Sequence, residues 1–190
     1  MSDRKVRTEI QKWLDNTWND YPPEFVITIH YKDLPTKIER VKEHIHHFNN
    51  VLFRKFHGVS RSVKVPPITQ RIMVQHFHEI NPITIKSKSG LPKQKLVYHT
   101  HTYISNTKNY FRDKEHFREF LNTLYKEKSP YRRRKYKSTR KVKSWTSEES
   151  VKYYEPDFHR SYCVNSPKKL SIGNSLLDET NSDLIPIFFQ

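Results

Sequence analysis

The order of apolar and polar positions in the first third of the chain predicts a helix, a strand and a second helix. The first helix covers residues 4–19, where apolar residues recur at helical spacing: Val6, Ile10, Trp13, Leu14 and Trp18. Residues 24–31 (EFVITIHY) are rich in β-branched and aromatic side chains, which predicts a buried strand. The second helix carries one apolar stripe and should end near Gly58; the stripe is Ile38, Val41, Ile45, Phe48 and Leu52.

The remaining pattern predicts two strands, a helix, a further strand and a last helix. These elements are expected at 69–80, 94–104, 113–126, 140–145 and from 146 to before Pro156. The loop between the two strands contains Pro82, Gly90 and Pro92, and the last helix begins with a capping-box spacing, Thr146-Ser-Glu-Glu149. This order predicts an α+β fold, a ferredoxin-like (RRM-like) antiparallel sheet with helices packed on one face. We expect a helical extension at 1–23, a main domain at 24–170 and a tail at 171–190.

Composition and net charge indicate the class of partner and exclude several classes of protein. The 190 residues include 35 Lys and Arg against 20 Asp and Glu, a formal charge of +15, which favours a polyanionic partner. Aromatic residues make up 13%, enough to build a core. A single cysteine, Cys163, excludes a disulfide framework and a cysteine-based zinc finger. No apolar run approaches 18 residues, and the first ten residues contain charges where a signal peptide needs an apolar core. We therefore expect neither a membrane span nor secretion, and a location in the cytoplasm or, in a eukaryotic host, the nucleus.

The positive charge is concentrated between residues 126 and 143, where ten Lys or Arg accompany one acid, Glu127. Lysine and arginine neutralise phosphates, and tyrosine rings stack on unpaired bases at about 1–3 kcal/mol each. The segment therefore predicts a clamp for a single nucleic-acid strand, with a solvated loop without a defined role as the alternative. The candidate contacts are Tyr131, Arg132, Arg133, Arg134, Lys135, Tyr136, Lys137, Arg140 and, further along, Lys168.

Four histidines on the two predicted neighbouring strands suggest a metal site. Side chains alternate in a strand, so His76 and His78 share one face, as do His99 and His101. If the strands form a hairpin, all four imidazoles can share one patch of the sheet and bind a divalent cation with positions left open for a phosphate oxygen or water. Glu79 is a competing ligand, but its parity points it away from His78 unless a bulge intervenes.

From Phe25 to Lys169 the sequence resembles the HUH endonucleases, which comprise rolling-circle replication initiators, relaxases and single-tyrosine transposases. His99-Thr-His101 stands in the place of the H-U-H motif, with Thr100 where that pattern usually has a hydrophobe. The resemblance implies that this strand, with one His, Glu or Gln from its neighbour, holds a divalent metal ion (Mn²⁺ or Mg²⁺); His76 or His78 stands where that third ligand would come from.

The same resemblance implies a tyrosine nucleophile that forms a 5′-phosphotyrosine bond with single-stranded DNA. Tyr162-Cys-Val-Asn165 keeps the tyrosine of the family's Tyr-x-x-Lys motif but has asparagine in place of lysine. Tyr154 and Tyr153 are alternatives. A phenol with a pKa near 10 needs a nearby cation or base to react at neutral pH.

The function expected from these features is metal-dependent nicking and joining of single-stranded DNA, or of a DNA hairpin at an origin, that initiates rolling-circle replication of a virus or plasmid. Unwinding would need a separate helicase, because no P-loop follows. The alternatives are a single-tyrosine transposase or relaxase and a non-catalytic ferredoxin-like protein that binds single-stranded nucleic acid. An RNA-recognition motif and a two-histidine phosphoesterase do not match, since the former's glycine-aromatic motif and the latter's His-x-Thr/Ser repeats are missing.

Overall fold

The computed structural model describes residues 3–31, 35–59, 66–107, 110–127, 142–144, 151–153, 175–178 and 180–183. Its helices are α1 (Asp3–Asp20), α2 (Ile38–His57) and α3 (Lys114–Glu127). Its strands are β1 (Pro23–Tyr31), β2 (Met73–Lys86), β3 (Pro92–Ser105), β4 (Val142–Ser144), β5 (Val151–Tyr153) and β6 (Ser175–Leu177). None of the helices within these ranges is both long and apolar enough to cross a lipid bilayer.

The strands form one antiparallel sheet in the order β4-β1-β3-β2-β6, with β5 also paired to β1. The longest ladder joins β2 to β3 without a register shift, from the pair Met73 and Ser105 to the pair Lys86 and Pro92. The predicted hairpin and the α+β class are therefore confirmed. Part of the predicted tail belongs to this sheet, because β6 pairs with residues 77–79 of β2.

The two faces of the sheet are covered by different helices. On one face, α2 and α3 pack their apolar stripes, including Ile45, Phe53 and Phe117, against β1 residues such as Ile27. On the other face, α1 contributes a second buried cluster, which is Trp13, Leu14 and Trp18 against Val26, Phe77 and Tyr103. Helices α2 and α3 share one face of the sheet, as expected for the main domain, whereas α1, expected as a separate N-terminal extension, packs on the other face. The reason lies in β1, whose apolar side chains alternate to both faces, so that both require cover.

Local sequence signals predict the end of one helix correctly and predict a second helix where the structure has a strand. Helix α2 ends where its stripe predicts, because Gly58 adopts a left-handed conformation (φ 70°) and its N–H donates to the carbonyl oxygen of Arg54 at 3.0 Å. The helix predicted from residue 146 is wrong at Val151–Tyr153, which form β5. There the β-branched Val151 is buried in the core beside β1, and this tertiary contact outweighs the capping-box signal.

Candidate metal centre

The register of the β2–β3 hairpin decides which of the four predicted histidines meet. Glu79 pairs with His99, whereas His78 pairs with Thr100. Directly paired residues of an antiparallel ladder point to the same face. His99 and His101 therefore lie with Glu79 on the face that α1 partly covers, and His76 and His78 point to the opposite face, toward α2. The predicted shared patch of four imidazoles is wrong, because the histidine pairs of the two strands have opposite parity.

Glu79, His99 and His101 converge on one point. The two histidine Nε2 atoms are 3.1 Å apart, and Oε2 of Glu79 lies 3.3 Å from Nε2 of His99 and 3.5 Å from Nε2 of His101. Glu79 is buried, with 1% of its side chain exposed, while His101 reaches solvent with 17%. Within the described residues these are the side chains that form a group able to hold a metal ion.

This triangle fits a divalent cation. Metal–ligand distances of about 2.1 Å, with ligands at tetrahedral or octahedral angles, place neighbouring ligand atoms about 3.0–3.5 Å apart, the separations seen here. Two imidazoles with one carboxylate form a donor set suited to Mn²⁺, Co²⁺, Zn²⁺ and related ions. Three protein ligands leave further coordination positions open, which is the feature that separates catalytic from structural sites.

Strand β1 supplies two contacts behind the ligands. Thr28 Oγ1 lies 3.2 Å from Nδ1 of His101, and the ring of His30 stacks on that of His99 with centroids 5.4 Å apart. When Nδ1 of His101 carries the hydrogen and donates to Thr28, Nε2 carries no hydrogen and its lone pair can bind a metal ion. Thr28 and His30 were not predicted as site residues; the signal that could have identified them is the polar residue at every second position of the otherwise apolar β1.

His76 and His78 are structural residues of a buried polar network. Nε2–H of His76 donates to Oδ1 of Asn49 on α2 at 2.9 Å, because the amide nitrogen of Asn49 is already committed to the carbonyl oxygen of Asn181. Nε2 of His78 bonds Oδ2 of Asp178 at 2.8 Å. Nδ1 atoms of both rings meet threonine hydroxyls of β3, Thr102 for His76 and Thr100 for His78, at 2.8 and 2.9 Å. All four ring nitrogens are therefore engaged within the protein, and neither ring is directed toward the candidate metal centre.

Asp178 ties the segment after β6 to this network. Burial alone raises the pKa of its carboxyl, but the hydrogen bond from His78, the charge of that ring and the hydrogen bond from Asn181 outweigh burial and hold the pKa at about 2. Further along, Asp183 accepts the N–H of Val74 at 2.9 Å and pairs with Arg71 at 3.0 Å. The carboxylates of Asp178 and Asp183 thus hold the last described residues against β2. These contacts were not predicted from the sequence.

The candidate nucleophiles are separated by their positions. Tyr153 pairs with Phe25, stacks on its ring and accepts the N–H of Lys114, so it lies on the face opposite the metal centre, against α3. The alternative that Tyr153 is the nucleophile at this centre is therefore wrong. Tyr154 and Tyr162 lie outside the described residues. So do the predicted nucleic-acid contacts Tyr131, Arg132, Arg133, Arg134, Lys135, Tyr136, Lys137, Arg140 and Lys168.

Comparison with known proteins adds no relative: no protein-family model, no curated protein and no solved structure matches this chain.

Proposed function

We propose that this chain holds a divalent cation at Glu79, His99 and His101 and uses it to nick and rejoin single-stranded DNA, as an HUH-type endonuclease that initiates rolling-circle replication. One observation carries the proposal: both Nε2 atoms of a His-x-His strand converge with a carboxylate oxygen from the adjacent antiparallel strand, within 3.1–3.5 Å. The resemblance implies this kind of ligand set, an H-U-H strand with one His, Glu or Gln from its neighbour. Glu79 takes the position first assigned to His76 or His78.

The sheet supports the ferredoxin-like part of this proposal. The elements β1, α2, β2, β3, α3 and β4 follow one another in the strand, helix, strand, strand, helix, strand order, and their strands lie in the order β4-β1-β3-β2 with antiparallel neighbours. In this arrangement the H-x-H strand β3 is central, between β1 and β2. A central strand is held on both sides, which favours a fixed position for its ligands.

The chain's own residues divide the chemistry between them. A bound divalent ion would supply Lewis-acid polarisation of the scissile phosphate. His99, His101 and Glu79 would hold the ion, with one negative charge from Glu79, and Thr28 would orient the ring of His101. The phenolic oxygen of Tyr162, or of Tyr154, would form a bond to phosphorus as the bond from phosphorus to the 3′-oxygen breaks. The phenolic proton is lost and the 3′-oxygen gains a proton, so the reverse reaction rejoins the strand.

The second candidate is a non-catalytic protein that binds single-stranded nucleic acid. The formal charge of +15 favours it as much as it favours a nickase, because binding of phosphates requires the charge but not the metal centre. A single-tyrosine transposase would share the cleavage chemistry and differ in its DNA target.

The test is a search for covalent adducts between the purified full chain and a library of labelled single-stranded oligonucleotides. With Mn²⁺ we expect adducts that survive denaturation and do not form in EDTA. Glu79→Gln and His101→Ala should abolish them, whereas His46→Ala, an exposed histidine of α2, should not. Circular dichroism verifies that each variant is folded.

Each component of the proposal can fail separately. Adducts that persist in the Glu79→Gln and His101→Ala variants would contradict the metal centre. Adducts that persist in both Tyr162→Phe and Tyr154→Phe would contradict the choice of nucleophile. Salt-sensitive binding of single-stranded DNA without any adduct would favour the binding protein instead.

A further inference from the structure

Beyond the candidate metal centre, β2 and β3 continue as a two-stranded ribbon. Strand β1 pairs with β3 only from His99 onward, and β6 pairs with β2 only at residues 77–79. Among the described strands, residues 81–86 and 92–97 therefore pair only with each other, over a length of about 20 Å. We refer to residues 81–97, including the turn, as the ribbon.

The ribbon is basic and carries apolar groups at its surface. It contains four lysines and no acidic residue. Leu91, at the turn, is 67% exposed and Leu96 is 55% exposed. An isolated two-stranded ribbon is at best marginally stable, and residues 81–96 are all half-buried or exposed, so core packing does not account for this composition. Partly exposed apolar side chains beside cations, in a ribbon that contains no acidic residue, suit a partner that is both anionic and partly apolar.

The register divides these groups between the two faces of the ribbon. Lys93 and Lys95 are separated from His99 by even numbers of residues along a ladder without register shifts, so they share its face. Across the ribbon, Ile85 pairs with Lys93 and Ile83 pairs with Lys95. This face therefore presents two cations and two half-buried aliphatic side chains that lead toward the metal centre, whereas the exposed Leu96 lies on the other face. Lys95 is about 13 Å and Lys93 about 20 Å from His99 along the strand.

We propose that this face of the ribbon binds the backbone and bases of an unpaired DNA strand next to the metal centre. Lys93 and Lys95 are two residues apart, about 7 Å, a separation comparable to that of consecutive phosphates in an extended strand. Ile83 and Ile85 lie where bases can contact them, which requires the bases to be unpaired, because a duplex stacks its base faces inside the helix. The position of the strand relative to the metal centre rests on the proposed function, whereas the binding itself does not.

The experiment measures binding of a fluorescein-labelled oligonucleotide of mixed sequence by anisotropy, with the full chain, in EDTA and over a range of salt concentrations. The variant is Lys93→Gln/Lys95→Gln. Its matched control is Lys86→Gln/Lys88→Gln, which removes the same charge from the same ribbon, with Lys86 on the other face and Lys88 in the turn. Circular dichroism and thermal unfolding establish that both are folded.

Loss of two phosphate contacts should reduce the magnitude of the negative slope of log K against log salt by about 1.4. With binding at 1 M salt unchanged, this is equivalent to about 25-fold weaker binding at 0.1 M salt. In the control variant Lys86→Gln/Lys88→Gln, the change in this slope should be less than a third as large. Equal losses in both variants, or no loss in Lys93→Gln/Lys95→Gln, would overturn the inference, as would duplex DNA that binds as tightly as the single strand and with the same dependence on these lysines.

Failure of this inference differs from failure of the proposed function. Weaker binding by Lys93→Gln/Lys95→Gln, together with a wild-type chain that never forms a Mn²⁺-dependent adduct, would retain the ribbon as a binding surface and reject the nickase. Adduct formation by the wild type with unchanged binding by the variant would reject the ribbon alone.

Discussion

The buried contact between His78 and Asp178 allows a quantitative prediction about stability. Oδ2 of Asp178 accepts hydrogen bonds from His78 and from the side chain of Asn181, both at 2.8 Å, and Oδ1 accepts the backbone N–H of Asn181 at 3.2 Å. Asp178→Asn preserves the shape of the side chain but converts one of its oxygens into an NH₂ group. Either orientation of the new amide places a donor against a donor, so at least one buried hydrogen bond is lost.

The size of the effect follows from two contributions. A carboxyl pKa of about 2, against 3.8 in the unfolded chain, is equivalent to on the order of 2 kcal/mol of stability at neutral pH. A buried donor left without a partner costs about 1–3 kcal/mol, and the two contributions overlap. We therefore expect Asp178→Asn to lower the free energy of unfolding by about 2–4 kcal/mol, a decrease in Tm of roughly 5–15 °C for a chain of this length.

The direction of the pH dependence is also fixed. Because folding lowers the pKa of Asp178, its contribution is present in full above the unfolded value of 3.8 and disappears as the pH falls through about 2. The difference between wild type and Asp178→Asn should therefore decrease as the pH falls below about 4.

The assay is urea unfolding in EDTA, followed by the fluorescence of the buried Trp13 and Trp18. Asp20→Asn, which changes an exposed carboxylate, is the control and should alter stability by less than about 0.5 kcal/mol. Equal stability of Asp178→Asn and wild type at pH 7, or a full difference that persists at pH 2, would refute the assigned hydrogen bonds and charge.

Two further predictions concern the end of α2 and the metal ligands. Gly58→Ala should destabilise the protein by about 1 kcal/mol in the same urea assay, because an added Cβ meets nothing within 4 Å and only the left-handed backbone (φ 70°) opposes it; unchanged stability would contradict this conformation. Glu79→His should shift metal preference from Mn²⁺ toward Zn²⁺ by at least about tenfold in competition titrations, because three imidazoles favour the softer ion. Glu79→Gln, as its control, should weaken binding of both ions, and an unchanged Mn²⁺-to-Zn²⁺ ratio in Glu79→His would contradict the ligand set.

The sequence predicted an element most accurately where the residues that determine it lie within or next to that element. The stripe of α2 and the glycine after it define that helix because both are local features. The capping-box spacing at residue 146 is equally local, yet Val151–Tyr153 is a strand because its position beside β1 depends on residues more than a hundred positions away. The side of the sheet that α1 covers is also not local, since an amphipathic helix indicates that it packs but not against which face.

The candidate metal centre shows this limit at the scale of one residue. Alternation along a strand correctly grouped His99 with His101 and His76 with His78, and it correctly separated Glu79 from His78. It could not show which face of β2 matches which face of β3, because that depends on the register set by the turn at residues 87–91. Because Glu79 pairs with His99, the third group of the candidate metal centre is a carboxylate rather than a histidine of β2.

The opposite parity of the two histidine pairs also gives each face of the hairpin a separate role. Thr100 lies between the two histidine ligands in sequence and points to the other face, where its hydroxyl meets Nδ1 of His78 at 2.9 Å and the hydroxyl of Tyr31 at 2.7 Å. The backbone that carries His99 and His101 is thus fixed to β2 and β1 by buried hydrogen bonds on the opposite face of the sheet. A hydrophobe at this position would leave the Nδ1 of His78 and the hydroxyl of Tyr31 without that partner, which favours threonine here. Ligands held on a fixed backbone bind a cation without losing further conformational freedom, so the contacts of His78 and Tyr31 with Thr100 would support the candidate metal centre by rigidity rather than by coordination.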